Sequence, residues 1–181
     1  RLKRSFWEVT DFSRWALSQS GPLSDESGSY WSCLDWTNGG SRMARLQGVA
    51  AHGKLGVAIS TVRKIQCFPY LGQPFTSELA VIVPKNQKDA PAIFAFCNSS
   101  EYEPAVRALD QKLAITNATL AKVPFDPETW RRAAQEELPN GFPLLYSNDP
   151  TQWTFHGHPA DSLHTLQVAV LRLVGYRWPA E

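Results

Sequence analysis

Residues 79–97 read Leu-Ala-Val-Ile-Val-Pro-Lys-Asn-Gln-Lys-Asp-Ala-Pro-Ala-Ile-Phe-Ala-Phe-Cys, and the character of the chain changes within them. The β-branched run at 79–83 is closed by Pro84, which favours a short strand. Residues 92–97 are apolar on all sides, as is typical of a short buried helix or strand. We therefore place a boundary between a β-rich part and a helical part close to residue 90.

Upstream of this boundary, aromatic and β-branched runs alternate with polar turns. Strands are predicted where such runs occur, at residues 4–9, 30–36, 55–60 and 79–83. Loops or turns are predicted where Gly, Ser, Pro and Asn cluster, at residues 19–29, 37–40 and 70–74. A short helix is one interpretation of residues 42–52.

Downstream of the boundary, capping residues predict helices. The helix after residue 99 begins with serine caps and acids, and its apolar face comprises Tyr102, Val106, Leu109 and Leu113. Asp126-Pro-Glu-Thr-Trp130 combines an N-cap acid with a proline at the first helical position, which predicts a helix to about Glu137. Residues 113–125, between these helices, are expected to be extended.

A last helix is predicted over residues 161–174, with Gly175 as its C-cap. Helical spacing assigns its inward positions to Leu163, Leu166, Val170 and Leu173. The predicted fold class is α+β. We expect a twisted, mostly antiparallel β-sheet in the N-terminal half, with helices from the C-terminal half packed behind it.

The composition is that of a globular protein. Of 181 residues 43% are hydrophobic, and seven Trp, nine Phe and five Tyr require a packed core, which excludes a disordered chain. No apolar run reaches the about 18 residues that span a bilayer, and no signal peptide opens the chain. Widely spaced Cys33, Cys67 and Cys97 indicate buried thiols in a reducing cytoplasm. The start at Arg1 and the single Met43 suggest a piece of a longer protein.

Charge is unevenly distributed along the chain. Residues 1–64 contain nine basic and five acidic residues, whereas residues 65–181 contain nine basic and twelve acidic residues. A basic first third suits contact with a polyanion. The basic, amide and aromatic residues around its glycine loops are Trp36, Asn38, Arg42, Arg45, Lys54, Arg63 and Lys64. The alternative is that the tryptophans lie in the core and the basic residues are merely solvated.

No catalytic motif is present. His156-Gly-His158, near Asp149 and Asp161, suggests a metal site, but its spacing differs from HExxH, and an aromatic loop with two hydrogen-bonding histidines is the favoured interpretation. Cys97 is not linked in sequence to a histidine base, and neither a P-loop nor a GxGxxG fingerprint occurs. We predict no catalytic residue and no metal ligand; a stand-alone hydrolase using His156 and His158 remains an alternative.

Several motifs occur in the order found in a known family. They are Lys54-Leu-Gly-Val-Ala-Ile-Ser60, Pro69-Tyr-Leu-Gly-Gln-Pro-Phe-Thr-Ser-Glu-Leu-Ala-Val-Ile-Val-Pro84 and Ala92-Ile-Phe-Ala-Phe-Cys-Asn-Ser99, with looser continuations at 106–110, 115–120, 122–126, 148–153, 156–159, 166–170 and 175–179. Together, over roughly residues 30–179, they resemble the target-recognition region of large N6-adenine DNA methyltransferases. These include type IIG restriction-modification enzymes and the methyltransferases of BREX- and DISARM-like phage-defence systems.

The resemblance implies a DNA-docking role without catalysis. In that family the region docks double-stranded DNA so that the catalytic domain of the same chain can flip the adenine. The family's Asn/Asp-Pro-Pro-Tyr motif and its S-adenosylmethionine-binding glycine motif are absent, so no cofactor is expected here; S-adenosylmethionine would bind the parent's catalytic domain.

The charge asymmetry, the glycine loops and the Arg, Asn and Trp residues of the first third indicate how roles are divided along the chain. We expect residues 1–90 to recognise DNA, with loops at 36–45 and 63–70 reading bases, and residues 91–181 to support them within one compact domain. A cytoplasmic location and no membrane contact are expected. The alternative, from another functional class, is a protein–protein interaction scaffold in a defence complex. Such a scaffold would use an aromatic surface of this chain as its interface.

Overall fold

The computed structural model describes residues 2–5, 8–9, 13–21, 29–62, 64–142 and 165–176. By its internal contacts the chain divides into two compact units, Arg1–Gln47 with Leu144–Glu181, and Gly48–Pro143. The assignment of DNA recognition to residues 1–90 and of a supporting role to residues 91–181 is a statement about function, which this structural division does not test. It stays a prediction.

The described residues contain six strands and five helices. The strands are β1 (Lys3–Ser5), β2 (Trp15–Ser20), β3 (Ser29–Asp35), β4 (Gly56–Ser60), β5 (Cys67–Tyr70) and β6 (Leu79–Ile82). The helices are α1 (Ala90–Asn98), α2 (Tyr102–Leu109), α3 (Asn117–Leu120), α4 (Pro127–Glu137) and α5 (Thr165–Leu173). The predicted α+β class is therefore confirmed. The antiparallel strands form two three-stranded sheets, with orders β1-β3-β2 and β5-β4-β6.

In the first unit, the sheet β1-β3-β2 is covered on one face by α5. Register pairs Trp15 with Asp35 and Leu17 with Cys33, so these four side chains share a face of the sheet. Two of them enter a core cluster that consists of Val9, Trp15, Cys33, Val168 and Tyr176. Asp35 is a charged residue at the edge of this apolar face, and its hydrogen bonds fix the positions of neighbouring polar side chains.

In the second unit, β4 lies at the centre of the sheet and all five of its residues are buried. Val57 and Ile59 face α1, and Ala58 faces the opposite side. The helix-side core also contains Phe94, Phe96, Cys97, Tyr102, Val106, Ile115, Leu120 and Val123. The other core consists of Ala51, Ala58, Phe68, Tyr70, Phe75 and Leu79. Burial on both faces explains why β4 is apolar at successive positions.

The capping signals predicted α4 correctly, but the extended conformation predicted for the whole segment before α4 is wrong. Asp126 accepts a hydrogen bond from the backbone N–H of Glu128 at 3.2 Å, and the helix ends at Glu137 as expected. The extended conformation predicted for 113–125 is interrupted by α3, because the Thr116 side chain accepts from the Thr119 backbone N–H and caps one helical turn. Residues 92–97, whose apolar pattern fits either a short helix or a strand, lie in α1.

The inward face predicted for the last helix is wrong. Leu166, Val170 and Leu173 are 77%, 51% and 86% exposed, and the helix instead buries Val168 against the sheet. The predicted C-cap is correct, since Gly175 has φ +87°. The Gly175 N–H donates to the Arg172 carbonyl, and the Tyr176 N–H donates to the Leu171 carbonyl. Leu163 lies outside the described residues.

Two strands were missed. Trp15–Ser20 forms β2, so the loop predicted at 19–29 begins only after Ser20; residues 22–28 are outside the described part. Cys67–Tyr70 forms β5 although it contains Pro69, because β5 is an edge strand, where the missing proline N–H is tolerated. The loop predicted at 63–70 is shortened accordingly. Residues 49–51 form a single 3₁₀ turn in the segment where a short helix was one interpretation.

Candidate nucleic-acid interface

The turn that follows β3 is built from residues in the left-handed conformation. Asn38, Gly39 and Gly40 have φ values of 51°, 65° and 77° in a 3₁₀ turn over Thr37–Gly40. Asparagine and glycine adopt this conformation most readily. A Cβ on Gly40 would lie 2.9 Å from the Trp36 ring, so glycine is also required for the indole to pack against the turn.

Asp35, the last residue of β3, is a buried and fully partnered carboxylate. Its Oδ2 accepts from Arg14 Nη2 at 2.7 Å and from Arg42 Nη1 at 3.3 Å. Its Oδ1 accepts from the Thr37 hydroxyl at 2.6 Å and from the Thr37 backbone N–H at 3.2 Å. The hydrogen bond from Arg14, followed by that from Thr37, holds the pKa of this carboxyl well below its usual range. The group is therefore ionised at neutral pH.

The two arginines on this carboxylate face solvent. The Arg14 side chain is 49% exposed and that of Arg42 is 60% exposed, whereas the Asp35 side chain is completely buried. Two guanidinium groups share one carboxylate, so the group carries a net positive charge at the surface. Ion pairs that are half in water contribute little to stability, but they fix the positions of the charges.

The ring of Trp15 supports the basic side chains on this side of the first unit. The Cζ atoms of Arg4 and Arg14 lie 4.9 Å and 5.4 Å from its centroid, within the range of cation–π attraction. Trp15 itself is buried in the core cluster under α5. We call Arg4, Arg14 and Arg42 the arginine cluster.

The predicted site residues fall in both units. Trp36, Asn38, Arg42 and Arg45 lie on the segment after β3 in the first unit, where Trp36 is half-buried and the other three are exposed. Lys54 and Lys64 are exposed residues of the second unit, and Lys54 Nζ donates to the Ala50 carbonyl at 2.8 Å. Arg63 lies outside the described residues.

The sequence analysis missed Arg14, Asp35 and Thr37. Asp35 was assigned only to the strand predicted at residues 30–36, although a carboxylate that ends an apolar strand requires partners when it is buried. Arg14 was missed because the strand that follows it, β2, was not predicted. The register that places Trp15 opposite Asp35 brings the two segments together.

The Cys33 and Cys67 thiols are poor nucleophiles in this environment. Burial raises the pKa of the Cys33 thiol to about 12. A hydrogen bond with Cys97, followed by burial, also raises the pKa of Cys67, whose Sγ donates to the Cys97 carbonyl at 3.0 Å. Because the thiolate is the reactive form, neither thiol is activated at neutral pH. Cys97 itself is buried in the helix-side core.

Within the described parts of the chain, no group of three or more His, Cys, Asp or Glu side chains is arranged to hold a metal ion. His156, His158 and the neighbouring Asp149 and Asp161 lie outside those parts. Among the helices described, none has both the length and the apolar character needed to cross a membrane.

Comparison with known proteins does not assign a family. Neither a protein-family model nor a curated protein matches the chain.

Proposed function

We propose that this chain is a non-catalytic DNA target-recognition domain of a site-specific N6-adenine DNA methyltransferase from a restriction-modification or phage-defence system. The observation that carries the proposal is the pair of solvent-facing arginines, Arg14 and Arg42, on buried Asp35, close in sequence to the exposed Asn38 and Arg45. Guanidinium groups bind phosphate oxygens strongly, and Arg and Asn are the residues that most often hydrogen-bond base edges in the major groove.

The turn after β3 suits close approach to a duplex. Gly39 has no atom within 4 Å of where a Cβ would be, so its backbone is open on that side. Phosphate contacts from the arginine cluster would fix the register of the domain on DNA, while Asn38 and Arg45 would be available to read bases. In this proposal the partners are double-stranded DNA and the catalytic methyltransferase domain, in the cytoplasm, and S-adenosylmethionine binds that domain alone.

Alanine substitution of the loop arginines tests the proposal. Arg42→Ala and Arg45→Ala are each expected to weaken duplex DNA binding by about 5- to 150-fold, which corresponds to about 1–3 kcal/mol. Fluorescence anisotropy with a labelled duplex pool measures the affinities, and enrichment from the pool reveals which variant loses sequence preference.

Arg132→Ala is the matched control. Arg132 is exposed on α4, and it is preferred to Arg131, which pairs with Asp89 at 2.8 Å and whose loss would also break an ion pair. This control should change the affinity less than about twofold, within the usual range for surface substitutions. Equal losses for Arg132→Ala and Arg45→Ala would show that the face assigned to DNA is wrong.

A protein–protein interaction scaffold is the second candidate, and α5 is the observation in its favour. Its exposed side includes Leu166, Val170 and Leu173, an apolar set of the kind found at protein interfaces. This set is aliphatic; the described aromatic side chains are buried or half-buried. Partner capture that is insensitive to salt would favour the scaffold, because a DNA contact weakens as salt rises.

A further inference from the structure

Arg14 and Arg42 converge on one oxygen atom from different segments of the chain. Arg14 directly precedes β2, and Arg42 follows the turn after β3. Both donate to Asp35 Oδ2, at 2.7 Å and 3.3 Å, so their charged ends are held side by side. We call Arg14 and Arg42 the arginine pair.

The hydrogen-bonding capacity of Asp35 is used within the protein. Four hydrogen bonds reach its two oxygens, two from the arginine pair and two from Thr37. A carboxylate offers about four acceptor positions, so Asp35 has none left for an incoming donor. The exposed parts of the site, 49% of the Arg14 side chain and 60% of the Arg42 side chain, belong to cationic groups, which favour a ligand made of acceptors and carrying negative charge.

The groups that hold the arginine pair are themselves fixed by the sheet. The Asp35 backbone N–H donates to the Leu2 carbonyl at 2.9 Å, and the Trp36 N–H donates to the Arg14 carbonyl at 2.8 Å. The Arg14 guanidinium also lies over the buried Trp15 ring. Ordering these side chains before binding lowers the entropy lost when a ligand arrives.

We propose that the arginine pair binds a phosphate group of the DNA backbone, with buried Asp35 as the residue that positions both guanidinium groups. This inference rests on the proposed function and adds two assignments to it. Arg14, which the sequence did not indicate, belongs to the DNA-binding surface. Arg42 contacts phosphate instead of reading a base, so its loss should weaken binding to all duplex sequences alike.

Asp35→Asn tests the positioning role because charge and geometry predict opposite results. The substitution removes a negative charge beside two guanidinium groups, so attraction by charge alone would tighten DNA binding. If Asp35 positions the pair, binding to duplexes of every sequence should instead weaken by about tenfold, and the slope of log K against log salt should flatten by roughly 0.9 for the lost phosphate contact. Circular dichroism and thermal melting check that the full-length variant chain is folded.

Arg14→Lys provides a second test if Asp35→Asn does not fold. Lysine keeps the charge of a half-exposed residue but lacks the planar donor geometry, so duplex affinity should fall by about three- to tenfold. Arg132→Lys, the matched control on α4, should leave the affinity unchanged. Unchanged or tighter binding by folded Asp35→Asn, or unchanged binding by Arg14→Lys, would overturn the inference while leaving DNA binding by the wild type intact.

The affinity for inorganic phosphate distinguishes a site for the DNA backbone from a site for the free phosphate ion. Added alone and followed by tryptophan fluorescence, inorganic phosphate should bind only weakly, with half-saturation at millimolar or higher concentration. Saturation at micromolar phosphate would overturn the assignment to DNA. Absence of duplex binding by the wild-type chain would instead contradict the proposed function, and the inference with it.

Discussion

Replacing Phe96 by alanine is expected to lower the free energy of unfolding by about 3–5 kcal/mol. Phe96 is a buried residue of α1, and its ring centroid lies 5.1 Å from Tyr102, 5.4 Å from Phe125 and 5.1 Å from Trp130. It thereby joins α1 to α2, to α4 and to the segment before α4. Truncation removes buried apolar area and leaves a cavity that these three large rings cannot easily fill.

Urea unfolding followed by far-UV circular dichroism measures this loss. Leu109→Ala is the control, since this α2 side chain is largely exposed and its loss should change the free energy by less than about 0.5 kcal/mol. A loss below about 1 kcal/mol for Phe96→Ala would contradict the view that the aromatic cluster is the core of the second unit.

Gly72→Ala is expected to lower the free energy of unfolding by about 2–4 kcal/mol. Gly72 has φ +100°, and an added Cβ would lie 2.7 Å from the Gly53 Cα and 2.8 Å from its nitrogen. These are backbone atoms, and the Gly53 N–H also donates to the Gly72 carbonyl at 2.8 Å, so neither segment can shift without losing that bond. The cost combines left-handed strain with overpacking.

Gly53→Ala separates the two contributions. Gly53 also has a left-handed backbone, at φ +73°, but no atom lies within 4 Å of its added Cβ. This variant should lose only about 1–2 kcal/mol, the cost of the conformation alone. Equal losses for the two variants, measured by the same urea titration, would show that the close approach of residues 53 and 72 is not what requires glycine.

Local signals in the sequence were enough to place several elements. Asp126 followed by Pro127 determines the start of α4 through side-chain capping and a preset φ, and both effects act within one helical turn. The β-branched residues of β4 and β6 predicted both strands. These predictions succeeded because each depends on neighbours in sequence.

The inward face of α5 could not be chosen from periodicity, because the helix is apolar on two sides. Leu166, Val170 and Leu173 formed a regular set, yet Val168 and Leu171 pack on the sheet. A further signal was present: a glycine C-cap is commonly followed by a residue that packs back onto the last turn. Gly175 is followed by Tyr176, whose backbone N–H donates to the Leu171 carbonyl. Tyr176 is buried in the core cluster against which Leu171 packs, so it indicates which side of α5 is buried.

The site was only partly predictable for a similar reason. Trp36, Asn38, Arg42 and Arg45 were identified because they are close in sequence. The carboxylate that holds Arg42, and the contribution of Arg14, depend on the pairing of β2 with β3. Strand pairing between distant segments is set by tertiary contacts, and the composition of either segment alone does not reveal it.

The salt dependence of duplex DNA binding by the intact chain tests the central claim most directly. With the arginine pair in contact with a backbone phosphate, log K should fall linearly with log salt, at a slope of about −0.9 or steeper, which corresponds to at least one phosphate contact. Binding that does not change with salt, or no binding to duplex DNA at low salt, would contradict the account.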